Sequence, residues 1–134
     1  MPNSTAKQLV LSTLQGFFAI CQLDPQSEIP DWANKGDFYS FTRTSEELSI
    51  ICPQEFIPEG VVYTGNWRGI KIEGPFEFTE IGILNSITAL FARVKISILS
   101  ISTYDTDYVF IQDSQFKDAL LILIGNGHQV IRSN

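Results

Sequence analysis

Residues 41–56, FTRTSEELSIICPQEF, and residues 101–116, ISTYDTDYVFIQDSQF, carry the same order of residue types sixty positions apart. In each, an apolar strand runs into a turn of hydroxyls and carboxylates, a second apolar strand leaves it, and an acidic and an aromatic residue follow. On this spacing Phe41 pairs with Ile101, Thr42 with Ser102, Glu47 with Asp107, Ile50 with Phe110, Ile51 with Ile111 and Phe56 with Phe116. Few residues are identical, but ordered elements that recur at a fixed offset are the mark of one structural unit used twice.

The rest of the chain fits around that repeat. Residues 1–15 form an N-terminal extension whose Leu9, Val10, Leu11 and Leu14 suit a short helix or strand packed at an edge. The run GFFAICQL, ended by Asp24-Pro25, is a strand by its aromatic and branched content. Residues 27–35 leave room for a turn or two of helix, residues 37–43 and 48–52 are strands, and Pro53 opens another short helix. Residues 61–63 then make a fourth strand, and Thr64-Gly65-Asn66 is a turn cluster suited to a boundary between halves.

After that boundary the pattern restarts. WRGIKIE alternates Trp67, Gly69 and Lys71 with Arg68, Ile70 and Ile72, which is strand grammar. Apolar positions 83, 84, 87, 90, 91 and 94 give a helical stripe, followed by strands at 96–101 and 107–112. Asp113 or Ser114 can cap a second helix with its stripe at Phe116, Ala119, Leu120, Leu123 and Ile124, and residues 128–131 suit an edge strand. The expected fold is α+β, with two tandem ferredoxin-like βαββαβ units. The first, residues 16–64, has shortened helices, and the second, residues 65–134, is complete.

Composition narrows the function. Apolar residues make up 44% of the chain and charged residues 18%, which excludes disorder, and the longest apolar run, residues 119–124, is far too short to cross a bilayer. The N-terminus lacks the charged region and apolar core of a signal peptide, so a cytosolic protein is expected. A net charge of −6 with no basic cluster along the chain disfavours nucleic acid. Cys21 and Cys52 lie in strands without a CxxC or nearby histidines, as two buried reduced thiols would. No phosphate loop or GxGxxG order occurs, and His128, the single histidine, follows a glycine-rich turn as a surface residue would. No catalytic residue, cofactor or metal site is expected.

Two places suit a small ligand. Gly82 in the first turn of a helix weakens it by about 1 kcal/mol relative to alanine, so it answers either close packing against a strand or the approach of a ligand to the backbone. In the second case the N–H groups of Gly82 and Ile83 receive a small anion such as an α-carboxylate. The other place is the turn of Thr103, Tyr104 and Asp107, which is either a solvated connection or a ligand contact. There Asp107 suits an ammonium group, Thr103 adds a hydroxyl or carbonyl, and Tyr104 covers an aliphatic side chain. The two places are expected at opposite ends of the sheet, which calls for a second unit packed beside the first. Trp32, Phe38, Tyr39, Phe41 and Trp67 suit core or inter-unit packing rather than a ligand.

The strings YSFTRTSEELSIICP, WRGIKIEGP, TEIGIL and ISTYDTDYVFI together resemble small bacterial proteins made of two ACT-type units and the related segments of CASTOR-type arginine sensors, over residues 16–131. The resemblance implies a regulatory module that binds a small amino acid or similar metabolite where neighbouring units meet. It carries ligand contacts to Glu80 and Gly82 at the helix start and to Thr103, Tyr104 and Asp107 in the turn. It also implies a homodimer with the C-terminal units facing each other. The first half departs from the pattern, with Arg43, Thr44 and Glu47 in its turn. The competing expectation is an interaction module that pairs through sheet edges and binds nothing small.

Overall fold

The computed structural model describes residues 8–73 and 82–133. Their elements are strands β1 (Val10–Thr13), β2 (Phe18–Leu23), β3 (Ser40–Arg43), β4 (Leu48–Pro53), β5 (Thr64–Ile72), β6 (Ile98–Ser102), β7 (Asp107–Gln112) and β8 (Gln129–Ile131), with helices α1 (Ile83–Arg93) and α2 (Asp113–Gly125). Two single 3₁₀ turns, Asp31–Ala33 and Gln54–Phe56, complete the set. The chain divides into two compact units, one of Gly16–Trp67 and the other of the chain on either side of it.

In the N-terminal unit, β2 pairs antiparallel with β4, β4 with β3, and β2 with the start of β5. This is a βαββαβ path with strand order β3-β4-β2-β5, in which the 3₁₀ turns stand where helices would run. Alternation along β4 sends Leu48, Ile50 and Cys52 inward, where they pack with Cys21 and Ala33. Trp32 and Phe41 lean on this core from its margin, and Phe41 stacks on Tyr39 at 5.6 Å. Both cysteines are buried and free. Burial pushes the Cys52 thiol up to about 12, with Cys21 adding to the effect.

The residues expected to end this unit fold differently. Residues 61–63 form no strand, and Thr64, Gly65 and Asn66 open β5. Between the pairs Phe18↔Trp67 and Ile20↔Thr64 the register shifts, so turn-type residues make a bulge inside a strand. Asn66 supplies a positive φ of 65° and its N–H donates to Gln54 Oε1 at 2.7 Å. At Gly65 a Cβ would lie 2.5 Å from that same oxygen and 2.7 Å from the Tyr63 ring, so a larger residue there would displace the Gln54 side chain that holds Asn66.

The C-terminal unit is a full βαββαβ path with one added strand. β1, expected at an edge, lies between β5 and β8, antiparallel to the first and parallel to the second. The strand order is β8-β1-β5-β7-β6. Leu9 and Leu11 explain the interior position, because both are buried with Ile70 and Ile72 against the helices. The helices supply Ile87, Leu90 and Phe91 from α1, and Phe116, Ala119, Leu120 and Leu123 from α2. Both stripes stop one residue short of expectation: Val94 and Ile124 are each 48% exposed. Neither Asp113 nor Ser114 caps α2 with its side chain; the Asp113 carboxylate instead accepts from Arg68 at 3.0 Å. The fold is α+β and ferredoxin-like, with the shortened helices in the first unit.

Candidate functional site

The turn between β6 and β7 is built by its hydroxyls. Thr103 N–H donates to the Thr106 carbonyl at 2.8 Å and Thr106 N–H to Thr103 Oγ1 at 3.2 Å, closing a four-residue loop. Ser102 and Asp107 face each other as the last pair of the hairpin, and Ser102 Oγ donates to Asp107 Oδ1. Side chains alternate along β7, so Asp107 shares the face of Val109 and Ile111, which are both buried against the helices. Its carboxylate therefore stands at the end of the sheet on the helix side, half-buried, with one oxygen held by a hydroxyl. Tyr104 is 81% exposed at the tip of the turn.

The N-terminal unit repeats this loop with one difference. Thr44 N–H donates to the Glu47 carbonyl at 2.9 Å and Glu47 N–H to Thr44 Oγ1 at 3.2 Å, the same bonds in the same order. Thr44 is thus the counterpart of Thr103, and Glu47 that of Thr106. The offset is fifty-nine residues rather than sixty. The pairing of Glu47 with Asp107 is corrected accordingly: the position of Asp107 is filled by Leu48, fully buried in its own core. A one-residue slip moves every side chain of a strand to the other face, which is why bonds and not residue types decide the match.

α1 starts at the same end. Thr106 Oγ1 donates to the carbonyl of Ile72, the last residue of β5, so the hairpin turn sits beside the point from which the chain leaves for the helix. At its other end α1 reaches β6 through residues 94–97, and eleven helical residues and five strand residues both span about 16 Å. The start of α1 is therefore level with the end of β6. The expectation of opposite ends fails: a helix crossover between β5 and β6 makes both strands run toward the turn, so both places share one end of one unit.

Gly82 is the residue before α1, with φ 84° and no side-chain cap, and its carbonyl accepts the first helical bond from Ser86 at 2.8 Å. A Cβ at Gly82 would meet nothing within 4 Å, so the glycine answers the left-handed backbone and not close packing. The backbone of Ile83 begins the helix, whose first turn holds no acidic side chain. Its N–H groups and the positive end of the helix dipole suit an anion. Glu80 lies outside the described residues. Glu73, which follows β5, is turned to the other face of the sheet, where the Ser12 hydroxyl at 2.5 Å, followed by Lys71, holds its carboxyl below the usual range.

His128, expected at the surface, is a structural acceptor: Leu9 N–H donates to its Nδ1 at 3.0 Å. Burial holds its pKa below the ordinary histidine value. Among the described residues no group of three or more His, Cys, Asp or Glu is arranged to hold a metal, and no helix is long and apolar enough to cross a membrane. A cleft at the amino end of α2, with Arg68, Lys117 and Arg132 on its walls, has no local motif: its cations are scattered over more than sixty positions.

Comparison with known proteins bears on the family and the fold. Residues 62–124 match the ACT-domain family model, and residues 16–60 match that of an N-terminal domain. The solved structure of protein Atu0741 from Agobacterium tumefaciens is 33% identical over 96% of both chains, with a TM-score of 0.90. The Vibrio cholerae protein VC0802 is 18% identical over 88% of this chain and 89% of its own, with a TM-score of 0.73. Aspartate kinase of Clostridium acetobutylicum, described as an allosteric enzyme, is 12% identical over 91% of this chain and 37% of its own, with a TM-score of 0.61. The last two likenesses show the fold alone. Comparison with curated protein sequences gives no match.

Proposed function

The chain belongs to the same family as protein Atu0741 of Agobacterium tumefaciens and carries an ACT-domain match over residues 62–124, and from these premises we propose that it is a non-catalytic regulatory protein that binds a small amino acid at its C-terminal unit. The observation that carries this reading is that the Thr106–Ile72 hydrogen bond fastens the β6–β7 turn to the end of β5, the end of the unit at which α1 begins. A zwitterion has two charged ends about one residue apart, and this end of the unit offers a complement to each. The carboxylate goes to the N–H groups at 82 and 83, and the ammonium group goes to Asp107. Thr103 adds a polar contact beside Asp107, Tyr104 folds over the ligand side chain, and Glu80 contributes from the segment before the helix.

Two copies pair with their C-terminal units side by side, as in the two-unit and four-unit ACT proteins the sequence resembles, and the pairing closes the open side of the site. The N-terminal unit binds no ligand of this kind, because Leu48 occupies the place of Asp107. The protein works in the cytosol, where its two thiols stay reduced. The ACT-domain match over residues 62–124 supports a regulatory role.

Thermal unfolding of the full chain against the twenty amino acids tests the proposal. A ligand present at 100 times its dissociation constant stabilises the native state by about 2.7 kcal/mol. A shift confined to one or a few amino acids is expected; no shift with any of them leaves the interaction-module reading in its place.

A further inference from the structure

At the end of the C-terminal sheet opposite the Thr103–Asp107 turn, a cleft of about 410 Å³ opens between the end of β1, the middle of β5, the first turns of α2 and the residues after β8. We propose that this cleft is a second binding site, for a small organic anion with a phosphate or carboxylate head and an apolar body. Its volume falls within the range of small-molecule pockets, about 300–1,000 Å³.

Charge is the first argument. The chain has nine basic residues and a net charge of −6, yet three of the nine, Arg68, Lys117 and Arg132, line this one cleft. Among the described residues that line the cleft the one carboxylate is that of Asp113, so these side chains carry two net positive charges on an acidic protein. Asp113 is already engaged. Arg68 Nη1 donates to its Oδ1 at 3.0 Å, and the Arg68 guanidinium lies 4.4 Å from the centre of the Phe116 ring. Among the described residues neither Lys117 nor Arg132 forms an ion pair within 4.0 Å. The cations left over are the two on the open rim, where a ligand would arrive. The amino end of α2, which lacks a side-chain cap, adds its dipole to the same potential.

Construction is the second argument. Arg132 is held in place through its neighbour: Ser133 N–H donates to Thr13 Oγ1 at 2.8 Å, and Thr13 is buried at the end of β1. Phe116 and Leu120, one helical turn apart and both buried, give the cleft an apolar floor. An apolar floor under a cationic rim selects an amphipathic anion over a bare inorganic one. This site shares no residue with the one at Gly82 and Asp107, so each stands or falls without the other.

Titration of the full-length ¹⁵N-labelled chain with phenyl phosphate and phenylacetate, at constant ionic strength and with benzyl alcohol as the uncharged control, tests the proposal. Saturable amide shifts at Thr13, Arg68 and Lys117 are expected with one or both anions and not with benzyl alcohol. A response to phenyl phosphate alone assigns a phosphate head, to phenylacetate alone a carboxylate, and to both the shared anionic chemistry. The double variant K117Q/R132Q should overlay the parent spectrum outside the cleft, since both side chains are exposed, and bind at least about tenfold more weakly. The single variant R132Q carries the same test with a smaller loss. Affinity unchanged in the variants, shifts that spread without saturating, or an equal response to benzyl alcohol overturns the proposal.

Discussion

Replacing Asp107 with leucine separates its role in the site from any role in the fold. The N-terminal unit already holds leucine at the equivalent position, Leu48, buried in the same kind of hairpin. Asp107→Leu removes the hydrogen bond from Ser102, worth about 1.5–3 kcal/mol when the acceptor is charged. It gains about 1–1.5 kcal/mol from half-burying a leucine side chain against the helix face. The net cost is about 1 kcal/mol, or roughly 4 °C in Tm for a chain of this size. Binding changes far more. Loss of a charge-assisted contact to an ammonium group costs about 2 kcal/mol, close to thirtyfold in affinity. A ligand at 100 times the parent dissociation constant then sits at roughly 3 times that of the variant, and its stabilisation falls from about 2.7 to about 0.9 kcal/mol. Differential scanning calorimetry with and without the amino acid measures both quantities. A variant that keeps the full ligand-induced shift refutes the assignment of Asp107, and one destabilised by more than about 3 kcal/mol shows that the carboxylate holds the fold.

Other consequences are as direct. Because burial lowers the His128 pKa in the folded state, its contribution is fully present above the unfolded value of about 6.5 and is lost as pH falls through the folded one. Protonation of Nδ1 also removes the acceptor for Leu9 N–H, so urea midpoints should drop below about pH 6.5 in the parent and drop less in His128→Gln; parallel curves would contradict this. Thr106→Val, nearly isosteric, leaves the Ile72 carbonyl without its donor and should cost about 1–2 kcal/mol in urea unfolding, whereas an unchanged midpoint would show the turn is not fastened to β5. With its pKa pushed up to about 12, Cys52 should react with a disulfide reagent at pH 8 about three orders of magnitude more slowly in the native chain than in urea. Equal rates would mean that the strand pair around it opens readily.

What could be read from the sequence was local. The stripes of α1 and α2 follow the helical period, and their last members, Val94 just past the end of α1 and Ile124 in the last turn of α2, are exposed. β1 was hidden because its four residues, VLST, show little alternation, and its place depends on partners sixty and one hundred and twenty residues away. Thr64-Gly65-Asn66 misled because a bulge needs the same left-handed backbone as a turn. The hydroxyl turn and its acidic neighbour were visible, but matching by residue type paired Glu47 with Asp107, and only the hydrogen bonds show that Leu48 holds that place. The direction of β6, and so the shared end of α1 and the turn, follows from the crossover and not from any motif. The cleft cations come from β5, α2 and the residues after β8 and form no string at all.

Amide chemical-shift mapping of the amino acid that gives the largest thermal shift examines that shared end most directly. Perturbations rising together at residues 82–85 and 103–107, with one binding constant and little change at residues 44–48, are the predicted result. Perturbations confined to one of the two segments, or centred on the N-terminal turn, would mean that no single ligand spans the helix start and the Asp107 carboxylate.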